Sequence, residues 1–79
     1  NFKNANLSGA DLKNANLTGA NLTEADLTNA DLRGANLTGA NLTNSCLVNT
    51  NLTDAYLDEV IIKGLNAEDA IYESPNEVE

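Results

Sequence analysis

A five-residue phrase repeats along this sequence, and its period constrains the fold more than any other feature. The phrase is Ala, then Asn or Asp, then Leu, then two variable residues, and it runs from the first residue to about residue 64. Two positions after the central residue stands Gly, Asn or Asp in every repeat except those with Glu24 and Glu59. The central apolar residue recurs without a gap at Phe2, Leu7, Leu12, Leu17, Leu22, Leu27, Leu32, Leu37, Leu42, Leu47, Leu52, Leu57 and Ile62.

A period of five fits neither an α-helix nor a straight strand. In an α-helix, successive central residues would lie about 140° apart around the axis and would form no apolar face. In a strand, side chains alternate between faces, so every second central residue would point to the wrong side. The backbone must therefore turn once per repeat and coil around the central residues, which form the predicted core. Gly, Asn and Asp supply the corners because they tolerate the positive φ of a type II turn.

The number of sides follows from the room that the core needs. Four sides of five residues place opposing walls about 10 Å apart, the spacing at which two sheets pack their side chains, whereas three sides would crowd the leucines. A four-sided coil of 20 residues stacks Asn16 over Asn36 and Asn21 over Asn41. We expect about three coils, with the stacked Asn side chains forming hydrogen-bonded ladders along the walls.

The repeated phrase resembles the pentapeptide-repeat family, and the resemblance covers positions 1 to 64. Members of that family fold as right-handed quadrilateral β-helices, so the resemblance implies an all-β solenoid that is four-sided, right-handed and stacked along one axis. The family is frequent in bacteria, above all in cyanobacteria. Most of its members have no assigned function.

The repeat loosens from Ser45 onward, and this predicts how the chain is organised. Tyr56 and Ile61 place apolar surface where earlier repeats carry Asn or Asp, so this end of the coil needs a cover. The sequence predicts one domain in three parts. A β-helix over residues 1–64 is followed by a short C-terminal capping α-helix over 65–73 and a flexible acidic tail over 74–79.

The predicted capping helix depends on local signals after the last glycine. Asn66 is placed as the N-cap, and Leu65 and Ala70 as the apolar pair that staples the first turn. Ile71 would join the apolar face of this helix. Pro75 would then prevent its continuation.

The net charge of −8 lies mostly at the C-terminal end. Residues 1–57 carry five acids against three bases, and residues 58–79 carry seven acids against one base. Four bases in all are too few to neutralise a run of phosphates, which argues against direct nucleic-acid binding. No apolar run approaches the ~20 residues that a membrane span needs, so no membrane partner is expected.

Few residues carry chemistry that could serve a reaction. Asp11 and Asp31, with Lys13 and Arg33 two positions later, form the one charged cluster on a wall, and a pair of carboxylates could suggest a hydrolase or a metal site. The neighbouring bases offset the repulsion and a flat wall offers no pocket, so a structural role is favoured. The lone Cys46 stands in an outward column without a base in its repeat, and an inert role is favoured. We predict no enzyme, cofactor or metal site.

Two functions remain from the sequence. The favoured one is a non-enzymatic structural or interaction module, a rigid rod that presents flat walls to an unidentified protein partner. The family resemblance implies an alternative, an acidic DNA mimic that inhibits a type II topoisomerase such as gyrase. Pairing of two copies through the N-terminal end of the coil is left open. The cytoplasm is favoured as the compartment, and an exported or lumenal location stays open because the chain begins within a repeat, without Met.

Overall fold

The computed structural model describes residues 1–72, which wind into a coil with a repeat of 20 residues. Ten parallel bridges join residues 20 positions apart, from Asn6 with Asp26 to Asn51 with Ile71. Each bridge is one residue long, so residues 1–72 contain neither an extended strand nor a helix. Nothing in this part of the chain forms a helix of the length and hydropathy that crossing a bilayer requires.

Four repeats make one coil, and repeats one coil apart stack into four walls. Coils 1, 2 and 3 comprise residues 1–20, 21–40 and 41–60, and the described part of coil 4 comprises 61–72. Wall 1 contains the centres Phe2, Leu22, Leu42 and Ile62, wall 2 contains Leu7, Leu27, Leu47 and Ala67, wall 3 contains Leu12, Leu32, Leu52 and Tyr72, and wall 4 contains Leu17, Leu37 and Leu57. The two short principal axes are both 21 Å long, as a square cross-section requires.

The backbone hydrogen bonds explain why the repeat is stable at this length. In the repeat of Leu32, Asp31 N–H donates to Ala10 O of coil 1 at 2.9 Å, and Leu32 N–H donates to Asn51 O of coil 3 at 2.8 Å. Gly34 N–H also donates to coil 3, and the next amide closes the corner by donating to Leu32 O. The remaining amide of the repeat donates to the Asp31 side chain. Every amide of the repeat thus has a partner, which matters because unpaired backbone groups are costly.

Each corner has the geometry that the turn-forming column predicts. The residue two positions after each centre has a positive φ, between 58° and 72°, at all fourteen corners from Asn4 to Asp69. At each corner, the amide three residues after the centre donates to the carbonyl of the centre. Positive φ at the third position alone is the pattern of a type II turn. The prediction that this column supplies the corners is confirmed.

The core is the interior of the coil, and burial depends on having coils on both sides. Leu22, Leu27, Leu32 and Leu37 of coil 2 are completely buried, and Ala25, Ala30 and Ala35 between them are at most 2% exposed. Towards the ends the same column becomes accessible, and Phe2 is 37% exposed. The leucines that were predicted as core form one continuous cluster. The prediction is wrong for Phe2 and Ile62, which are 37% and 54% exposed because each lies in an end coil without a described coil on its outer side.

The predicted capping helix is wrong for residues 65–72. This segment continues the coil, because Asn66 pairs with Cys46 and Ile71 pairs with Asn51 in parallel bridges. Asp69 occupies another corner with a φ of 61°. Leu65 lies in the small column and packs against the core, while Ala67 takes the place of the central residue. The large Leu65 stands in the small column and the small Ala67 stands in the central column, so the five-residue pattern does not reveal this repeat.

The local signal that suggested a helix N-terminus has a second meaning in this fold. The side-chain oxygen of Asn66 accepts a hydrogen bond from the Glu68 amide at 3.2 Å. An Asn side chain that accepts from the amide two positions on can cap a helix or close a turn, and only the continuing backbone decides which. Residue 73 of the predicted helix and the predicted flexible tail over 74–79 lie outside the described residues.

Candidate interaction surface

The outward Asn and Asp side chains hold the walls together locally. In the repeat of Leu37, Asn36 Oδ1 accepts from the Thr38 amide at 3.0 Å and from the Thr38 hydroxyl at 2.6 Å. The same pair of bonds recurs at Asn16, Asn21, Asp26, Asn41 and Asn51. The prediction of Asn ladders is wrong within residues 1–72, where no hydrogen bond joins Asn side chains of successive coils. The amide two positions on is closer and would otherwise be unsatisfied.

The charged cluster on wall 3 contains one well-formed ion pair. Arg33 donates from Nε to Asp31 Oδ1 at 2.9 Å and from Nη2 to Asp31 Oδ2 at 2.8 Å. These bonds from Arg33 lower the pKa of Asp31 to about 2, and the charge of Lys13 contributes in the same direction. The pKa of Arg33 is raised by the same pair. Both carboxylate oxygens of Asp31 therefore accept hydrogen bonds from Arg33. Only the backbone of Asp31 pairs with that of Asp11, one coil away.

Cys46 replaces Asn or Asp in the outward column of wall 2 and is partly buried. Its Sγ lies 3.3 Å from the hydroxyl oxygen of Thr28 in the coil below. Thr28 also donates to Asp26, and these side-chain and backbone bonds lower the pKa of Asp26. Cys46 is thus one member of a short polar contact between coils 2 and 3.

Two polar residues lie inside the coil in the column that usually holds Ala. Ser45 donates to Leu42 O at 2.8 Å, and Thr50 donates to Leu27 O at 2.6 Å, so both buried hydroxyls have partners. The Thr50 bond joins the interiors of coils 3 and 2. The sequence marks both residues as departures from Ala, but it does not reveal where their hydroxyls donate.

The surface changes character at the C-terminal end of the described chain. Tyr56, Ile61 and Ile71 occupy the outward column on walls 4, 1 and 3, and are 44%, 49% and 52% exposed. Ile62 and Tyr72 follow at central positions and are also exposed. Among the predicted cap residues, Leu65 and Ala70 are partly accessible in the small column, and Asn66 lies on the outside of wall 2.

The geometry offers contact surfaces and no enclosed site within residues 1–72. This part of the chain shows no cavity and no cluster of His, Cys, Asp or Glu that could hold a metal ion. Its interior is filled by Leu, Ala, Ser45 and Thr50. The side chains that are available for recognition therefore lie on the four outer walls and at their corners.

A four-walled coil with a repeat of five residues defines a solenoid repeat protein. The sequence matches the family model described as pentapeptide repeats, with eight copies over residues 1–39 and 35–71. The chain belongs to the pentapeptide-repeat family, which confirms the resemblance. The match up to residue 71 also agrees with the continued winding of the segment after residue 64.

Several solved structures are similar to this chain. The pentapeptide-repeat protein Rfr23 from the cyanobacterium Cyanothece 51142 has 36% identity and a TM-score of 0.86 over 90% of this chain and 49% of its own. HetL from the cyanobacterium Nostoc sp. strain PCC 7120, a protein involved in the regulation of heterocyst differentiation, has 33% identity and a TM-score of 0.69 over 96% of this chain and 39% of its own. The chain therefore spans half or less of the length of these two proteins.

A more distant similarity shows the fold alone. QnrB1, a plasmid-mediated fluoroquinolone resistance protein, has 22% identity and a TM-score of 0.55 over 89% of this chain and 39% of its own. No curated protein sequence matches the chain.

Proposed function

We propose that this chain is a non-enzymatic interaction module, a rigid rod that presents its outer walls to a protein partner. The observation that carries the proposal is the closed, filled interior of the coil, which within residues 1–72 leaves the walls and corners for recognition. Backbone bonds between coils fix the spacing of the wall side chains, so little conformational entropy is lost when a partner binds them.

The similarity to HetL supports a role of this kind. HetL is involved in the regulation of heterocyst differentiation, and an interaction module is one kind of protein that serves regulation. Because the chain spans 39% of HetL, this role is carried over as a proposal about the repeat rod. The right-handed winding and the pairing of copies through the N-terminal end stay predictions.

A wall scan in the cells that make the protein tests the proposal. Each of four variants replaces outward Thr side chains of one wall with Lys and keeps the Asn side chains that accept backbone bonds, and each is used as bait for chemical cross-linking and co-purification. We expect one protein to be retained by the wild type and lost when the walls that contact it are altered, but kept when the other walls are altered. A variant that is unfolded by Leu32→Lys is the control for non-specific capture. Equal capture by all four variants and the unfolded control would contradict the proposal.

The alternative function, an acidic mimic of DNA, has one favourable observation. Acids crowd the last part of the described chain, where residues 54–72 carry five acids and one Lys. Residues 1–53 carry four acids and three bases, so most of the rod lacks the charge density of a phosphate backbone. The described coils span about 17 Å at strand spacing, against ~34 Å for one turn of duplex.

A gyrase supercoiling assay separates the two functions. The interaction module should leave supercoiling unchanged up to high protein concentration. Inhibition by the wild type that is lost when Asp58, Glu59, Glu68 and Asp69 are replaced with Asn or Gln would favour the mimic.

A further inference from the structure

Two surface columns change together at the C-terminal end of the coil. The first eleven residues of the outward column, from Asn1 to Asn51, are Asn or Asp except for Cys46, whereas three of the last four are Tyr56, Ile61 and Ile71. The corner column carries one acid among its ten positions from 4 to 49, and three acids among its last four, at Asp54, Glu59 and Asp69. Apolar side chains therefore lie on the walls where acids occupy the corners.

The apolar residues replace side chains that stabilise the fold. In the preceding coil, Asn36 and Asn41 accept hydrogen bonds from the amide and the hydroxyl two positions on. Tyr56 and Ile61 stack directly over these two residues and cannot accept such bonds. Within the described residues, the amides of Asp58 and Lys63 consequently have no side-chain acceptor. A local rule of the repeat is broken where large apolar surface is exposed, and such conflicts are typical of functional sites.

The corner of wall 4 in coil 3 also departs from the preferred residue of the repeat. Glu59 has a φ of 60°, a conformation that favours Gly or Asn, and Gly19 and Gly39 hold the equivalent corners of wall 4 in coils 1 and 2. Glu at such a corner is less favourable than Gly for the turn itself. It nevertheless places a carboxylate beside exposed apolar side chains.

We propose that this surface is the docking site for the protein partner, and that the partner presents a basic, amphipathic segment. The surface, the C-terminal belt, comprises Tyr56, Ile61 and Ile71 with the acids Asp54, Asp58, Glu59, Glu68 and Asp69. This proposal rests on the proposed function and identifies the part of the rod that binds the partner. Apolar side chains of the partner cover the three exposed residues, and its Lys and Arg side chains pair with the surrounding acids.

The negative charge of the C-terminal belt favours a basic segment over a second copy of the chain, nucleic acid or anionic lipid. Two belts in contact would bring together two surfaces that each carry five acids and one Lys, so a symmetric pair of copies is opposed by repulsion. Nucleic acid and anionic lipid would be repelled for the same reason. A basic segment gains complementary charge at the corners and apolar burial on the walls.

The decisive variant restores the pattern of the repeat. Tyr56→Asn, Ile61→Asn and Ile71→Asn together give each position the residue that its column holds one coil earlier, Asn36, Asn41 and Asn51. Restored bonds to the amides of Asp58 and Lys63 should leave the urea midpoint equal to that of the wild type or higher. A matched control, Thr18→Gln with Thr38→Gln, alters wall 4 below Tyr56 without a change of charge and leaves the residues of the belt in place.

Binding is measured with a short synthetic amphipathic helix of leucine and lysine, by fluorescence anisotropy, against a leucine and glutamate peptide of the same pattern. We expect the lysine peptide to bind the wild type and the control, to bind the triple Asn variant about tenfold or more weakly, and to be weakened by salt. The glutamate peptide should not bind.

Equal affinity for the triple Asn variant, or equal binding of both peptides, would overturn the proposal. Self-association of the wild type in sedimentation that the triple variant loses would overturn it as well, because a second copy would then be the occupant. If the partner from the wall scan is lost with a mid-rod wall variant and kept by the triple variant, the belt is wrong and the proposed function stands. If no partner is retained at all, the proposed function itself fails.

Discussion

The structure predicts that equivalent leucines of one wall differ in their contribution to stability. Leu12, Leu32 and Leu52 stack on wall 3 and occupy the same position of the repeat. Leu32 is completely buried between coils 1 and 3, Leu52 is 5% exposed, and Leu12 is only partly buried because no described coil lies beneath it. Truncation of each to Ala removes the same atoms from different surroundings.

The expected magnitudes follow from burial. Leu32→Ala loses the full transfer free energy and leaves a cavity that neighbouring coils cannot fill, which costs about 3 to 4 kcal/mol. Leu52→Ala should cost nearly as much. Leu12→Ala loses most of the transfer term but opens to solvent without a closed cavity, so about 1 to 2 kcal/mol is expected. A domain of this size is stable by only about 4 to 12 kcal/mol, so Leu32→Ala should remove a large share.

Urea unfolding followed by far-ultraviolet circular dichroism measures these costs, provided that the variants share one denaturant slope. The matched pair Leu32→Lys and Thr38→Lys serves as a control. A charge in the filled interior should prevent folding, whereas the column of Thr38 already accommodates Lys13 and Arg33 on wall 3. Equal costs for Leu12→Ala and Leu32→Ala would refute the argument that stacked coils create the burial.

Three further predictions concern single contacts. The pKa of Asp31 is lowered from 3.8 to about 2 by Arg33, so the stabilisation is complete above the ordinary pKa and is lost as the pH falls from about 4 towards 2; urea midpoints across this range should fall less in Asp31→Asn than in the wild type. Thr50→Val should cost about 0.5 to 1.5 kcal/mol in urea unfolding, because the buried bond to Leu27 O is lost; an unchanged midpoint would mean that this bond contributes nothing. Gly39→Ala should cost about 1 to 2 kcal/mol by thermal unfolding, since φ is 72° and no atom lies closer than 4.0 Å to the added methyl group; a much larger loss would point to a clash that the structure does not contain.

The pattern of the repeat predicts the parts of the fold that local chemistry controls. The inward centres and the small column follow from a period that neither helix nor strand can satisfy. The positive φ of the corners follows from the column of Gly, Asn and Asp, and it holds even where Glu24 and Glu59 stand. These features need no knowledge of which segments meet in space, because every repeat faces the same geometric requirement.

The segment after residue 64 shows where the pattern becomes ambiguous. Leu65 and Ala67 exchange the usual order of small and large residues, so the repeat is not evident from its letters. Leu65 packs against the core from the small column, and Asn66 makes the same local bond that would cap a helix. Pairing with Cys46 and Thr50 one coil away selects the turn over the helix.

The candidate surface was only partly visible from the sequence. Tyr56 and Ile61 stood out as apolar residues in a polar column, and the sequence suggested that a helix covers them. Their exposure and the hydrogen bonds that they forgo emerge only when Asn36 and Asn41 are seen beneath them.

The sequence by itself determined that the chain coils, which columns face inward and outward, and that the corners have positive φ. These features depend on the conformational preferences of single residues and on one repeated spacing. Only the tertiary structure decided that the coil continues through residues 65–72, which leucines are fully buried, and where the Asn, Ser and Thr side chains donate or accept. Each of those depends on the residue stacked 20 positions away, and a local pattern contains no information on whether that neighbour is present.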